Sequence, residues 1–139
     1  MKELLILLRS MQLFNHSAHH LVARAPFAAD HELFGSFYSE LDGEYDSVAE
    51  RAIGKLGPEA ANLGQIVAGV AAKLHGVPST ELKENSQFFE ISLRLEKELC
   101  DLISSVIKAG VSEGTRQRLG DICDRSEVRQ YKIQQRIKK

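Results

Sequence analysis

Apolar residues recur at intervals of three and four along most of the chain, which is the spacing of one face of an α-helix. The pattern predicts five helices, over residues 1–24, 27–56, 59–76, 82–110 and 114–136. The breaks between them coincide with residues that interrupt helices, namely Pro26, Gly57, Pro58, Pro78 and Gly110. The chain is therefore predicted to be all-α.

Four of these helices are long, and the short one, over residues 59–76, lies between the second and third long helices. A long connection at this point is typical of ferritin-like four-helix bundles with one crossover. At 139 residues the chain has room for one such domain with its own core, over residues 1–139. The apolar stripes place Ile53 on the buried side of the second long helix, and Val128 and Tyr131 on that of the fourth.

Two histidines and two carboxylates in the first two helices are candidate metal ligands. Asp46 and Glu50 lie one helical turn apart, so they share a face and can bind one ion. His31 precedes Asp46 by 15 residues, about 22 Å along a helix, so the two cannot hold the same ion within one subunit. An ion bound by the carboxylates and by a histidine would need that histidine from elsewhere, most simply from an antiparallel copy of the helix across a two-fold axis.

A structural role is the alternative for each of these residues. Asp46 and Glu50 could form a solvated acidic face, with Glu50 paired to a neighbouring arginine. The histidines of the first helix, His16, His19 and His20, could be a polar helix end with one buried imidazole. The combined pattern favours a ligand role for His19. His16 and His20 are assigned to the helix end, with a role as further ligands left as the alternative.

Residues 15–57 resemble the Dps family of mini-ferritins, through the motifs AHH, F-x3-HELF and D-x2-AER at the family's distances. The resemblance implies that His19 and His31 bind iron together with Asp46 and Glu50 of a two-fold mate. It further implies a hollow dodecamer of 23 symmetry that oxidises Fe(II) with hydrogen peroxide. Ferric mineral would be stored in the cavity, which protects DNA from oxidative damage.

The chain departs from the family's pattern at two positions. Gly35 stands where the family has an acidic residue four after the second histidine, and that carboxylate normally helps to hold a second iron. His20 stands where the family commonly has tryptophan, and the chain contains no tryptophan. The chain also lacks the Glu-x2-His ligand motif of the longer ferritins, and this difference from them favours a metal site between subunits. A second hypothesis follows, a structural or DNA-associating shell in which Gly35 impairs ferroxidase activity.

The formal net charge is −1, so the composition does not require a nucleic-acid partner. Residues 116–139, however, hold eight Lys or Arg against three Asp or Glu. Many copies on one shell would add up weak phosphate contacts from Lys132, Arg136, Lys138 and Lys139. In one alternative, these cations only stabilise the C-terminal end of the helix, where the helix dipole is negative. In the other, the basic helix binds a protein partner.

Location is predicted from the apolar runs and the cysteines. The run Leu4–Leu8 is too short for a signal-peptide core or a membrane span. Cys100 and Cys123 lack metal-motif spacing and are typical of reduced thiols in a cytosol-like compartment, with Cys100 in the core. We therefore expect a protein of the cytoplasm that can associate with the nucleoid and that has no membrane partner.

Overall fold

The computed structural model describes residues 1–138, in which helices are the only regular secondary structure. The helices are α1 (Lys2–Leu21), α2 (Phe27–Leu56), α3 (Leu63–Leu74), α4 (Asn85–Ala109) and α5 (Glu113–Ile137). The all-α prediction is confirmed.

Two predicted helix starts were too early, and local capping explains both. Pro58–Ala61 forms a separate 3₁₀ turn, and α3 begins only after Asn62, whose side chain accepts a hydrogen bond from the Gln65 N–H. At α4, the side chains of Glu84 and Gln87 form a reciprocal capping box that fixes the first residue as Asn85. The residues before each cap therefore stay outside the helix.

Side-chain contacts give the directions of the four long helices. Asp30 and Glu44 of α2 contact Arg136 and Arg129 of α5 respectively, so α2 and α5 are antiparallel. Glu96 of α4 also contacts Arg129. Cys100, one turn after Glu96, contacts Ser126, which lies about one turn before Arg129. The helices α4 and α5 are therefore antiparallel. It follows that α2 and α4 run in the same direction. Residues 57–84 must therefore return along the length of the bundle.

The helix α3, within this return segment, packs on α1. Ile66 and Val70 form its buried side, and Gly69 lies against Ile6 so closely that a Cβ at position 69 would collide with the isoleucine side chain. Any other residue at position 69 would therefore need the Ile6 side chain to move. The other side of α3 is open, with Leu63 and Val67 exposed.

The core is formed mainly by leucine, isoleucine and phenylalanine from all four long helices, and its largest buried apolar members are Leu4, Leu5, Leu8, Met11, Phe34, Phe37, Leu41, Phe89, Leu99, Ile103 and Leu119. Three predicted core positions were wrong, because Ile53, Val128 and Tyr131 are 40%, 48% and 61% exposed. In α2 the small Ala52 takes the inward position beside Ile53. In α5 the buried stripe passes through two polar residues, Ser126 and Arg129.

Arg129 is the largest fully buried side chain, and it lies where α2, α4 and α5 meet. Its Nε donates to Glu96 Oε1 at 2.7 Å, and its Nη1 and Nη2 donate to Glu44 at 2.9 and 3.1 Å. Nη1 also reaches Glu40, and Ser126 donates to Glu96 at 2.6 Å. One guanidinium thus binds two buried carboxylates inside the bundle.

Protonation in this cluster reflects both burial and pairing. Burial alone would lower the pKa of Arg129, but the charges of Glu96 and Glu44 outweigh it and raise that pKa, so the guanidinium stays charged. Burial raises the pKa of Glu96 above its ordinary value, against the opposing effect of Arg129 and Ser126. Arg129 and Ser126 thus favour the charged form of Glu96, which burial disfavours.

Each helix in the described part of the chain is too short or too polar to cross a lipid bilayer.

Candidate metal-binding site

The structure brings His19 and His31 together, at the end of α1 and the beginning of α2. Their rings are stacked, with centres 3.6 Å apart and planes 19° from parallel. His19 Nδ1 lies 2.5 Å from the carbonyl oxygen of His31, and His31 Nδ1 lies 2.6 Å from the carbonyl oxygen of His19. Both predicted histidines are therefore held in one place by a reciprocal pair of hydrogen bonds within one subunit.

This pairing determines which ring nitrogen is free to bind a ligand. A carbonyl oxygen can only accept, so each Nδ1 must carry the proton and donate it. In the neutral imidazole the other nitrogen, Nε2, then has a free lone pair. Metal-binding histidines in proteins commonly donate their second nitrogen to a carbonyl in this way, which fixes the tautomer and the ring orientation. His19 and His31 have this arrangement.

Gly35 lies directly beside the His19 ring. A Cβ at position 35 would be 3.0 Å from both Cε1 and Nδ1 of His19, which is closer than ordinary van der Waals contact. The glycine thus gives the imidazole room to lie against α2. A carboxylate at this position, which the resemblance would lead one to expect, could be accommodated only if the His19 ring moved.

We expect the Gly35→Ala variant to gain less stability than a glycine-to-alanine change normally gives in a helix, about 1 kcal/mol. The added methyl group would push His19 away from the carbonyl of His31, which offsets the gain. Gly43→Ala is the matched control, because a Cβ there meets nothing within 4 Å in the same helix. Chemical denaturation of both variants measures the difference, and equal stabilisation would show that the His19 ring does not depend on Gly35.

Sequence reasoning missed how many aromatic rings gather at this place. The His16 ring stacks on Tyr38 with centres 4.1 Å apart, and it lies 4.8 Å from the His20 ring. His20 is in turn 5.2 Å from His19. Tyr38 follows His31 by seven residues, two helical turns, and that spacing was the available signal. Four imidazoles and one phenol thus form a continuous patch, not a featureless helix end.

His20 is the most exposed imidazole of this patch. Partial desolvation, together with the neighbouring imidazoles of His16, His19 and His31, lowers the pKa of His20 below its ordinary value. The neighbouring rings thus disfavour the charged form of His20.

Asp46 and Glu50 are exposed on α2, further along the helix from the histidines. Within residues 1–138 no group of three or more His, Cys, Asp or Glu side chains is close enough to hold a metal ion. One subunit therefore brings together the two predicted histidines but not the four predicted ligands. Both carboxylates are free to face a second molecule.

The predicted phosphate-binding cations are not equivalent. Lys132 and Lys138 are exposed, but Arg136 binds the buried Asp30 through two hydrogen bonds of 2.7 and 2.8 Å. That hydrogen bonding raises the pKa of Arg136, and Asn85 donates to the same carboxylate at 2.9 Å. Arg136 therefore joins α5 to α2, a structural role that the sequence did not indicate. Lys139 lies outside the described residues.

We expect Arg136→Gln to lower the free energy of unfolding by about 1–3 kcal/mol, because a buried carboxylate loses its partner. Lys132→Gln and Lys138→Gln should change it by less than about 0.5 kcal/mol. Thermal or chemical unfolding of the three variants gives the comparison. Equal effects would contradict a structural role for Arg136.

Both cysteines are free thiols. Cys100 is hydrogen-bonded to Ser126 and Gln130 at 3.5 and 3.6 Å, and both cysteines are half-buried. Burial, followed by the neighbouring Cys100, raises the pKa of Cys123 to about 12. Cys123 therefore stays protonated at neutral pH, which makes it a poor nucleophile and a poor metal ligand.

Comparison of the chain with protein-family models, with curated proteins and with solved structures finds no match.

Proposed function

We propose that the protein is a Dps-like mini-ferritin with a ferritin-like four-helix bundle. It oxidises Fe(II), with hydrogen peroxide as the oxidant, at sites shared between two subunits. It stores ferric iron in a hollow dodecamer and so protects DNA from oxidative damage. The observation that carries the proposal is the pairing of His19 and His31, in which each Nδ1 is bound to a carbonyl and each Nε2 is free.

The position of the carboxylates supports a shared site. Asp46 follows His31 by 15 residues, about 4.2 helical turns, so the two lie on nearly the same side of α2. An antiparallel copy of α2 would therefore place Asp46 and Glu50 of one subunit opposite His19 and His31 of the other. Two equivalent sites would result, one at each end of the contact.

The ligand types suit the oxidation of iron. Carboxylates are hard oxygen donors that favour the more highly charged Fe(III), while imidazoles hold Fe(II). Two Fe(II) ions each give one electron to one peroxide molecule, whose O–O bond breaks to yield two hydroxide ions. Asp46 and Glu50 would bind and orient the iron substrate, and His19 would complete its ligand set. His31 would bind a second iron ion more weakly, because Gly35 supplies no carboxylate.

Exposed apolar side chains support self-association. Ile53 and Leu56, at the end of α2, are 40% and 64% exposed, and Leu63 and Val67 of α3 are 77% and 59% exposed. Large apolar side chains left in water on adjacent elements are typical of surfaces that become covered in an assembly. The assembly that we propose is the dodecamer.

The experiment is Fe(II) loading with hydrogen peroxide, followed by size-exclusion chromatography in which protein and iron are monitored together. A particle of about twelve subunits carrying a large excess of iron over subunits would support the proposal. A monomer or dimer would contradict the assembly. A monomer or dimer would instead favour a bundle that binds a protein partner through the basic helix α5.

The second candidate is a Dps-like shell with impaired ferroxidase activity. It is favoured by the His19 ring, which lies against Gly35 where a ligand carboxylate would otherwise project. In the same loading experiment, this candidate predicts a twelve-subunit particle with about one iron ion per site and no mineral phase.

Association with DNA in the cytoplasm or nucleoid would be weak. We assign it to Lys132, Lys138 and Lys139, since Arg136 is engaged with Asp30. Repetition of these cations over the shell would add up individually weak phosphate contacts. DNA retention that falls with salt, and falls further in a Lys132→Gln, Lys138→Gln variant, would support this assignment.

A further inference from the structure

We infer that His16 and His20 form a second metal site, which takes a divalent ion of the zinc, nickel or copper type. The two residues are four apart on α1, so their side chains project from one face of the helix. Their ring centres are 4.8 Å apart. Two imidazoles whose nitrogens bind one ion at about 2.1 Å have ring centres roughly 4.5–5.5 Å apart, and the ring-centre separation of this pair lies within that range.

The ring nitrogens of this pair are available. Within residues 1–138 no side-chain hydrogen bond involves a ring nitrogen of His16 or His20, in contrast to His19 and His31, whose Nδ1 atoms are bound to carbonyls. His20 is exposed and His16 is half-buried. An ion can therefore reach both rings from solvent, with water molecules completing its coordination.

The His16 ring is also held in position. The His16 ring stacks on Tyr38 of α2 at 4.1 Å, and Tyr38 in turn makes an edge contact with His19 at 5.4 Å. Tyr38 thus acts as a positioning residue for His16. Rings that are fixed before binding lose less conformational entropy when the ion arrives.

The donor set selects the class of metal. Imidazole nitrogens suit zinc, nickel and copper, whereas magnesium, calcium and manganese prefer oxygen ligands. The site at His16 and His20 has two nitrogens, in contrast to the oxygen pair of Asp46 and Glu50. The inference does not depend on iron oxidation, because neither His16 nor His20 belongs to the proposed iron site.

The test is titration of the full chain with Zn²⁺ in an Asp46→Asn, Glu50→Gln background, which removes the oxygen ligands of the proposed iron site. We expect one Zn²⁺ per subunit by calorimetry. Adding His16→Gln or His20→Gln should weaken binding by at least about 10- to 100-fold, the loss that follows even from changing an outer partner of a metal ligand. His75→Gln is the matched control, since His75 is an exposed histidine at the end of α3.

Two results would overturn the inference. One is Zn²⁺ affinity that is unchanged by both His16→Gln and His20→Gln. The other is affinity that is lost in His31→Gln but kept in those two variants, which would assign the ion to the His19–His31 pair. Cu²⁺ bound to the same background protein gives a second readout, because electron paramagnetic resonance should show two imidazole nitrogens, and only one after His20→Gln.

Discussion

Replacing Arg129 with methionine is expected to lower the free energy of unfolding by about 3–5 kcal/mol, the cost of leaving buried charges without their partner. Glu44 and Glu96 are 2% and 0% exposed, and Arg129 donates to both. Without the guanidinium, Glu96 would keep only Ser126 as a hydrogen-bond donor, and Glu44 would keep only the partly exposed Arg125. Chemical denaturation at neutral pH measures the loss.

A matched control and a compensating variant separate pairing from packing. Arg125 binds the same Glu44 at 2.9 Å, but its side chain is 39% exposed, so Arg125→Met should cost less than about 1 kcal/mol. Combining Arg129→Met with Glu44→Leu and Glu96→Leu should recover most of the stability, because the cluster then contains no buried charge. If Arg129→Met costs no more than Arg125→Met, the buried cluster does not stabilise the bundle as described.

Replacing Asp46 and Glu50 together with asparagine and glutamine is expected to reduce the rate of Fe(II) oxidation by at least about 100-fold. The change keeps the shape of each side chain but removes both negative oxygen donors from the proposed site. Both residues are exposed, so folding stability should change by less than about 0.5 kcal/mol. The rate is followed by the absorbance of Fe(III) after Fe(II) and peroxide are mixed.

Glu32→Gln is the control, because it removes another exposed carboxylate of α2. Its oxidation rate should equal that of the unmodified protein. If oxidation survives the double change at Asp46 and Glu50 undiminished, these two carboxylates do not bind the iron that is oxidised.

Much of the fold was predictable because helix periodicity and helix-breaking residues are local properties. Pro26 and Gly57 separate the helices where the apolar pattern indicates, and α2 has the predicted bounds. The core of α5 was harder to predict, because its buried stripe contains Ser126 and Arg129. A search for apolar residues therefore selected Val128 and Tyr131, which lie on the outer side. Burial of an arginine depends on carboxylates from two other helices, which no local pattern indicates.

The candidate site was predictable only in part, because residue spacing is a local property whereas contacts between helices are not. Spacing along α2 separates His31 from Asp46, and the structure places His31 next to His19 instead. The reciprocal hydrogen bonds between these histidines depend on how α1 and α2 dock, so periodicity could not predict them. The contact of His19 with Gly35 also depends on docking. Gly35, which carries no side chain, thus leaves space that the His19 imidazole occupies.

A site shared by two subunits can be tested by mixing two inactive variants. One variant carries His19→Ala, and the other carries Asp46→Asn and Glu50→Gln. In a mixed dimer, one site combines the intact histidines of the second variant with the intact carboxylates of the first. Random pairing in equal amounts should therefore restore about a quarter of the sites across two-fold interfaces.

The measurement is the rate of Fe(II) oxidation after the two variants, each with a different affinity tag, are co-expressed and purified through both tags. We expect activity to return in these mixed particles. It should stay absent in control particles in which both tags are carried by the His19→Ala variant, because no site then has an intact His19. Mixed particles that contain both variants but remain inactive would contradict a metal site shared between subunits.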